Sequence, residues 1–200
     1  RVNPDIVIHT AALTDHQYPD LDELAETNVH GTENVTRVCD DINAQLVYLS
    51  KHYVYHGESG NYAETDELKP IGAYAISKLA GEWYAQTLQH TLVIRGSWYT
   101  YDTRLRHWLE RGALIDAWCS REQVRRSARK IVQLIDAGAE GIYNIGGPRR
   151  TFEKILLDEG YKDFPRLTRA ELHNLPYAFP FDVSVNTAKY DTLVAPHHAL

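Results

Sequence analysis

Four short apolar runs, each separated from the next by helix-length sequence, constrain this chain more than any other feature. They are residues 5–10 (DIVIHT), 45–50 (QLVYLS), 91–95 (TLVIR) and 141–145 (GIYNI). Each is too short for a helix, rich in β-branched residues and apolar on both faces. Strands read this way when a sheet is covered on both sides. Between the first two runs, Leu21, Leu24, Ala25, Asn28, Thr32, Val35, Cys39 and Ile42 form one three-four stripe, with Asp20 placed as N-cap. A second helix is predicted from Tyr74 to about Gln89, with Ile76, Leu79, Ala80 and Trp83 facing inward. A third spans 121–137, with Val124, Ala128, Ile131, Val132 and Ile135 on one face. Shorter helices are predicted at 103–111, 151–159 and 187–193. This alternation gives an α/β fold of the Rossmann type, a doubly wound parallel sheet with a small C-terminal lobe.

Such sheets bind ligands outside the carboxyl ends of their strands. The residues to search are therefore Ala11 to Asp15, Ser50 to Tyr53, Arg95 to Trp98 and the Gly146-Gly147-Pro148 turn. Residues 51–71, with Gly57, Gly60 and Pro70, read as a long loop of the kind that usually carries function.

Charge and composition exclude several classes. A net charge of −6 argues against a nucleic-acid or anionic-membrane surface, and the basic cluster from Arg121 to Lys130 has the spacing of a solvated helix face. No apolar run approaches the roughly 18 residues of a membrane span, and the first residues carry no signal-peptide pattern. Cys39 and Cys119 follow no metal or redox spacing. His52 and His56 flank a strand-like Tyr53–Tyr55 with no third ligand in step, so no metal site is expected. The expectation is a cytoplasmic protein. With no methionine anywhere, even at its start, the chain is expected to be a fragment.

Tyr74 and Lys78 lie four apart at the start of a predicted helix and so share a face. An ammonium beside a phenol favours the phenolate and brings its pKa down from about 10, which suits a general acid or base near neutrality. In a chain with 13 tyrosines one such pair is not distinctive by itself.

The surrounding segments make it so. Residues 74–82 (YAISKLAGE) follow 64–70 (ETDELKP). Upstream lie 7–14 (VIHTAALT), 28–35 (NVHGTENV) and 49–57 (LSKHYVYHG); downstream lie 95–98 (RGSW) and 180–189 (PFDVSVNTAK). This ordered set resembles the extended short-chain dehydrogenase/reductase superfamily, and within it the dTDP-4-dehydrorhamnose reductases. The resemblance runs over nearly the whole chain and is weakest from 99 to 120.

The resemblance implies NADPH or NADH as cofactor, without deciding between them, and a nucleotide-sugar substrate. It implies that Tyr74 protonates a carbonyl oxygen while Lys78 holds the nicotinamide ribose and keeps the tyrosine pKa low. Ala11, Ala12, Asn28, Leu49 and Arg95 would border the cofactor, with Asn28 ordering the strand end or serving as a core amide. Thr14, His52, Tyr53, Ser97 and Trp98 would border the sugar. No nucleic-acid or membrane partner is implied; a homodimer is among the arrangements allowed. Residues 1–96 would complete a dinucleotide-binding domain. In 97–200, residues 121–147 would pack back on the sheet, and 97–118 with 148–182 would form the substrate lobe.

Two departures stand out. The family's glycine-rich turn precedes the strand with which this chain begins, and the Gly146-Gly147-Pro148 turn does not replace it. The position of the family's catalytic Ser/Thr falls on Lys51 and that of its Asp on His52, with Ser50 one residue early. The carbonyl-polarising hydroxyl would then be absent, replaced by Lys51, or supplied by a shifted Ser50. The expected function is reduction of a nucleoside-diphosphate 4-keto-6-deoxy sugar in dTDP-rhamnose or related cell-surface polysaccharide biosynthesis. The alternatives are a nucleotide-sugar epimerase and a non-catalytic regulatory subunit, such as methionine adenosyltransferase carries on this scaffold.

Overall fold

A computed structural model gives the fold and describes residues 3–14, 20–101, 105–172 and 179–195. Strand β1 (Ile6–His9) leads to α1 (Leu21–Ala25), whose first amides, from Asp22 and Glu23, are capped by the Asp20 carboxylate. A π-helical turn, Glu26–His30, joins α1 to α2 (Gly31–Asp41). Then come β2 (Gln45–Leu49), α3 (Gly72–Ala85) and β3 (Thr91–Arg95). A run of short pieces follows: β4 (Trp98–Tyr99), α4 (Arg106–Arg111), β5 (Ala113–Leu114), β6 (Trp118–Cys119) and β7 (Glu122–Gln123). Next are α5 (Val124–Asp136), capped by the Gln123 side chain, and β8 (Gly141–Asn144). The chain continues through β9 (Arg150–Thr151), α6 (Phe152–Asp158), β10 (Arg166–Leu167) and α7 (Ala188–Val194).

The four long apolar runs form one parallel sheet in the order β1-β2-β3-β8. Alternation along each strand sends side chains to both faces. Leu46, Tyr48 and Val93 pack with Cys39 of α2 and Ala85 of α3 on one face. Val47, Leu92 and Ile94 pack with Ile131 and Leu134 of α5 and Tyr190 of α7 on the other. Each fully buried Leu or Ile contributes roughly 1.5–3 kcal/mol, so the two clusters fix the doubly wound arrangement. A third cluster is built away from the sheet by Tyr99, Leu105, Trp108, Phe152, Leu156, Phe164 and neighbours.

Several orientations differ from the amphipathic reading. Leu21, the first residue of its stripe, is 60% exposed. Ile76 and Trp83 face solvent, and the inward face of α3 carries Tyr74, Ser77, Lys78, Gly81 and Glu82 instead. That face closes on polar groups at the sheet's end, so apolar periodicity finds Leu79 but not the polar residues beside it. On α5 the buried line is Ser127, Ile131 and Leu134, while Val132 is exposed. The strand-like Tyr53–Tyr55 is a 3-10 turn over His52–Val54. The starts of the predicted 103–111 helix and part of the 148–182 segment (173–178) lie outside the described residues, as does Asp15.

Candidate active site

The carboxyl ends of β1, β2 and β3 and the inner edge of α5 bound a cavity of about 620 Å³. The β1 side supplies Ile8, Thr10, Ala12 and Thr14, and the end of β2 supplies Leu49, Ser50 and Lys51. Tyr74 and Lys78 enter from α3, Gly96 to Thr100 from beyond β3, and Arg121 with five residues of α5 close the far wall. Of the residues expected at a site, the fold thus brings Tyr74, Lys78, Ser50, Lys51, Ala12, Leu49, Thr14, Ser97 and Trp98 to one cavity.

Tyr74 and Lys78 lie one helical turn apart on the buried face of α3. The Lys78 ammonium sits 4.1 Å from the centre of the Tyr48 ring. Burial brings its pKa down to about 8, with the Glu82 carboxylate opposing the shift. The same burial, with the Lys78 charge second, lowers the His9 imidazole, which contacts Thr32 Oγ1 at 3.0 Å.

At the end of β2 the extended backbone of Lys51 (φ −146°, ψ 150°) separates it from Ser50. The Ser50 hydroxyl donates to Glu82 Oε1. Lys51 places its Nζ 4.8 Å from the centre of the Tyr74 ring and 5.1 Å from that of Tyr53. Of the two candidates for the carbonyl, Ser50 is engaged with α3 and Lys51 lies beside Tyr74.

Five expected residues sit elsewhere. Arg95 turns into the interior, where Nη2 donates to Glu82 Oε2 at 2.7 Å and Nη1 to the Tyr55 hydroxyl at 3.1 Å. That hydroxyl donates to Asn144 Oδ1 at 2.8 Å, so Arg95 ties α3 to the 51–71 loop and β8 and does not reach the cavity. Such pairing is what a buried guanidinium requires. Asn28 is equally interior: its amide donates to Leu13 O at 2.9 Å and Ser77 Oγ at 2.9 Å, and Oδ1 accepts from Leu13 N at 2.8 Å. The π-helical turn aims it there, and it fixes the backbone after β1 against α3. His52 and Tyr53 are buried behind Lys51, ring against ring at 4.5 Å, because the 3-10 turn folds them under. Ala11 is exposed and Ala12, its neighbour, lines the cavity.

The sequence reading passed over Arg121 and Glu82. Glu82 stands in the quoted YAISKLAGE segment, and a glutamate on the same helix face as Lys78 is a usable signal. Arg121 opens a basic run whose spacing reads as a solvated face; Arg125, Arg126 and Arg129 are exposed, but Arg121 is 6% exposed. Among the described residues no group of three His, Cys, Asp or Glu side chains is placed to hold a metal ion, and no helix is long and apolar enough to cross a membrane.

The family model for the RmlD substrate binding domain matches residues 1–111. A dTDP-4-dehydrorhamnose reductase of Mycobacterium tuberculosis is 36% identical over 108 residues, 50% of this chain and 36% of that protein. Methionine adenosyltransferase 2 subunit beta of Xenopus laevis is 37% identical over 84 residues, 40% of this chain and 24% of that protein. These matches span little more than a third of the curated relatives' length at most. Among solved structures, the Bacillus anthracis dTDP-4-dehydrorhamnose reductase in complex with NADP superposes with a TM-score of 0.82 at 23% identity, over 97% of this chain and 80% of that one.

Proposed function

The chain belongs to the RmlD substrate binding domain family, and from that premise we propose that it is part of an NAD(P)H-dependent reductase of a nucleoside-diphosphate 4-keto-6-deoxy sugar. The convergence of Tyr74, Lys78 and Lys51 on one cavity at the carboxyl ends of the strands carries the reading. A reduced nicotinamide, when bound, supplies the hydride. Its ribose end would be held by Lys78, with Ala12 allowing close approach. Ala12, Tyr74 and Lys78 on one cavity at the strand ends support the nicotinamide half of the cofactor as the part they would hold.

Tyr74 donates its phenolic proton to the carbonyl oxygen as charge develops there. Lys78, charged below its pKa of about 8, favours the phenolate left behind. Lys51 stands beside Tyr74 and donates to the same oxygen in place of a hydroxyl; one such donor is worth about 3 kcal/mol. Tyr99, Trp108 and Phe152 in the third cluster support a substrate lobe drawn from 97–118 and 148–182, beside the C-terminal part of a dinucleotide-binding domain over 1–96. Ile76 and Trp83, 55% and 65% exposed on one helix, support a homodimer. The setting we assign is cytoplasmic, in dTDP-rhamnose or related polysaccharide synthesis.

Assay of dTDP- and UDP-linked 4-keto-6-deoxy sugars with NADPH and NADH, in the protein that carries this chain, tests the proposal. Turnover of at least one pair is expected. Lys51 at a position of catalysis, together with the likeness to the beta subunit named above, supports a second reading as a regulatory subunit. Nucleotide binding with no turnover of any pair would favour that reading.

A further inference from the structure

Ser50 and Lys51 are adjacent at the rim of the cavity, and the backbone separates their side chains. Although β2 ends at Leu49, its pairing with β3 runs on: Ser50 N donates to Ile94 O at 2.8 Å and His52 N to Gly96 O at 3.3 Å. With Lys51 extended between these bonds, alternation sends Ser50 to the sheet face that Tyr48 shares with α3. Lys51 leaves on the other face, with Leu49.

On the α3 face Ser50 meets Glu82, which is fully buried and accepts the serine hydroxyl at Oε1. Arg95 grips the same carboxylate, with Nε 3.1 Å from each oxygen and Nη2 2.7 Å from Oε2. The acceptor for Ser50 is thus anchored on α3 and β3 together. A hydroxyl carries one hydrogen, and here an ionised, buried acceptor takes it. What Ser50 turns to the cavity is lone pairs, whereas an oxygen that gains negative charge needs a donor. Lys51 has three N–H donors, and its Nζ lies 4.8 Å from the centre of the Tyr74 ring and 5.1 Å from that of Tyr53.

We infer that Ser50 is a positioning residue and not a catalytic one: tied to Glu82, it holds the strand end that aims Lys51 at Tyr74, an inference that rests on the reductase reading above. The two side chains leave one short stretch of strand on opposite sides, so pulling Ser50 toward α3 sets the direction in which Lys51 departs. A lysine stem of four carbons turns a small rotation at its Cα into a large displacement of the ammonium. The Glu82–Arg95 pair makes the tie rigid, because neither partner can leave without stranding a buried charge.

A double-mutant cycle tests this in the protein that carries the chain, with Ser50→Ala, Lys51→Met and the two combined in single-turnover reduction of a keto sugar. Lys51→Met should slow hydride transfer by about 10²-fold, the scale of a lost oxyanion donor. Ser50→Ala should slow the parent by roughly 10-fold, the scale of a misplaced group. Once Lys51 is gone, the same change should cost less than about twofold. Ser50→Cys keeps the shape with a weaker donor; it should behave like Ser50→Ala, and replaces it if the alanine variant does not melt cooperatively. The aim of Lys51 is also readable without turnover. Its ε-methylene protons lie under the ring currents of Tyr53 and Tyr74, and NMR of lysine-labelled protein, assigned with Lys51→Met, should show them move toward the free-lysine position in Ser50→Ala. An equal loss from Ser50→Ala with and without Lys51 would make Ser50 itself the donor and overturn the inference, as would unchanged Lys51 shifts in that variant. If the parent reduces no keto sugar, the reductase reading falls, and the Lys51 shifts alone decide whether the tie to Glu82 positions it.

Discussion

Lys51 and Lys78 bring two ammonium groups to one wall of the cavity, on either side of the chemistry assigned to Tyr74. Their environments differ. Lys78 is 3% exposed with a pKa near 8, below the 10.5 of a free lysine. The folded state therefore binds that proton less tightly than the unfolded chain. Between about pH 8 and 10.5 the unfolded chain keeps the proton and the folded one releases it, so stability attributable to Lys78 rises with pH through that window, by up to about 1.4 kcal/mol per unit. Below pH 8 both states are charged and the desolvation cost is constant. Urea denaturation of the parent and Lys78→Met at pH 7, 8 and 9 should show the variant's advantage shrinking as pH rises; a constant difference would contradict the shift. For Lys51, replacement by Thr should leave turnover equal or lower and displace the alkaline limb of the pH–rate profile. A tenfold gain would mean that the lysine obstructs the site.

Helix α3 brings Tyr74, Lys78 and Glu82 to its inner face, and apolar periodicity does not mark those polar residues. Gly81 lets it approach β2: an added Cβ would come within 2.2 Å of the Tyr48 hydroxyl, itself a fully buried side chain. Gly81→Ala should destabilise the protein by about 1–3 kcal/mol, the scale of overpacking, measured as a lower urea midpoint. One position on, Glu82 is fully buried and pairs with Arg95. Glu82→Ala should cost about 3–5 kcal/mol, because Arg95 would be left buried and unpaired; a variant as stable as the parent would contradict that role. The sequence made the existence, order and type of the strands and long helices legible, since the alternating apolar runs admit one sheet. It reveals the buried faces in part: Leu79 of α3 and Ile131 of α5 are inward as the periodicity predicts, while Ile76, Trp83 and Val132 are exposed and Tyr74, Lys78, Glu82 and Ser127 are buried. Glu82 is drawn inward by Ser50 and Arg95 at the sheet's end.

Across the whole molecule, the site is assembled from segments far apart in sequence, and legibility follows how local each part is. Tyr74 and Lys78 were readable because one helical turn relates them. Position along the chain places Arg95 and His52 at the ligand, but the tertiary fold turns both inward; Asn28 holds the backbone after β1, one of the two roles its place on the helix allows. Arg121 was hidden because its burial depends on Trp108, Phe152 and the close approach at Gly146, none of them near it in sequence. These elements meet at the step we propose, transfer of a proton from Tyr74 to a substrate carbonyl. The direct measurement is single-turnover oxidation of the reduced nicotinamide with a keto sugar that the parent protein reduces, comparing it with Tyr74→Phe. The hydride-transfer rate of the variant should be lower by about 10²-fold or more, with nucleotide affinity retained; an unchanged rate would remove Tyr74 from the chemistry.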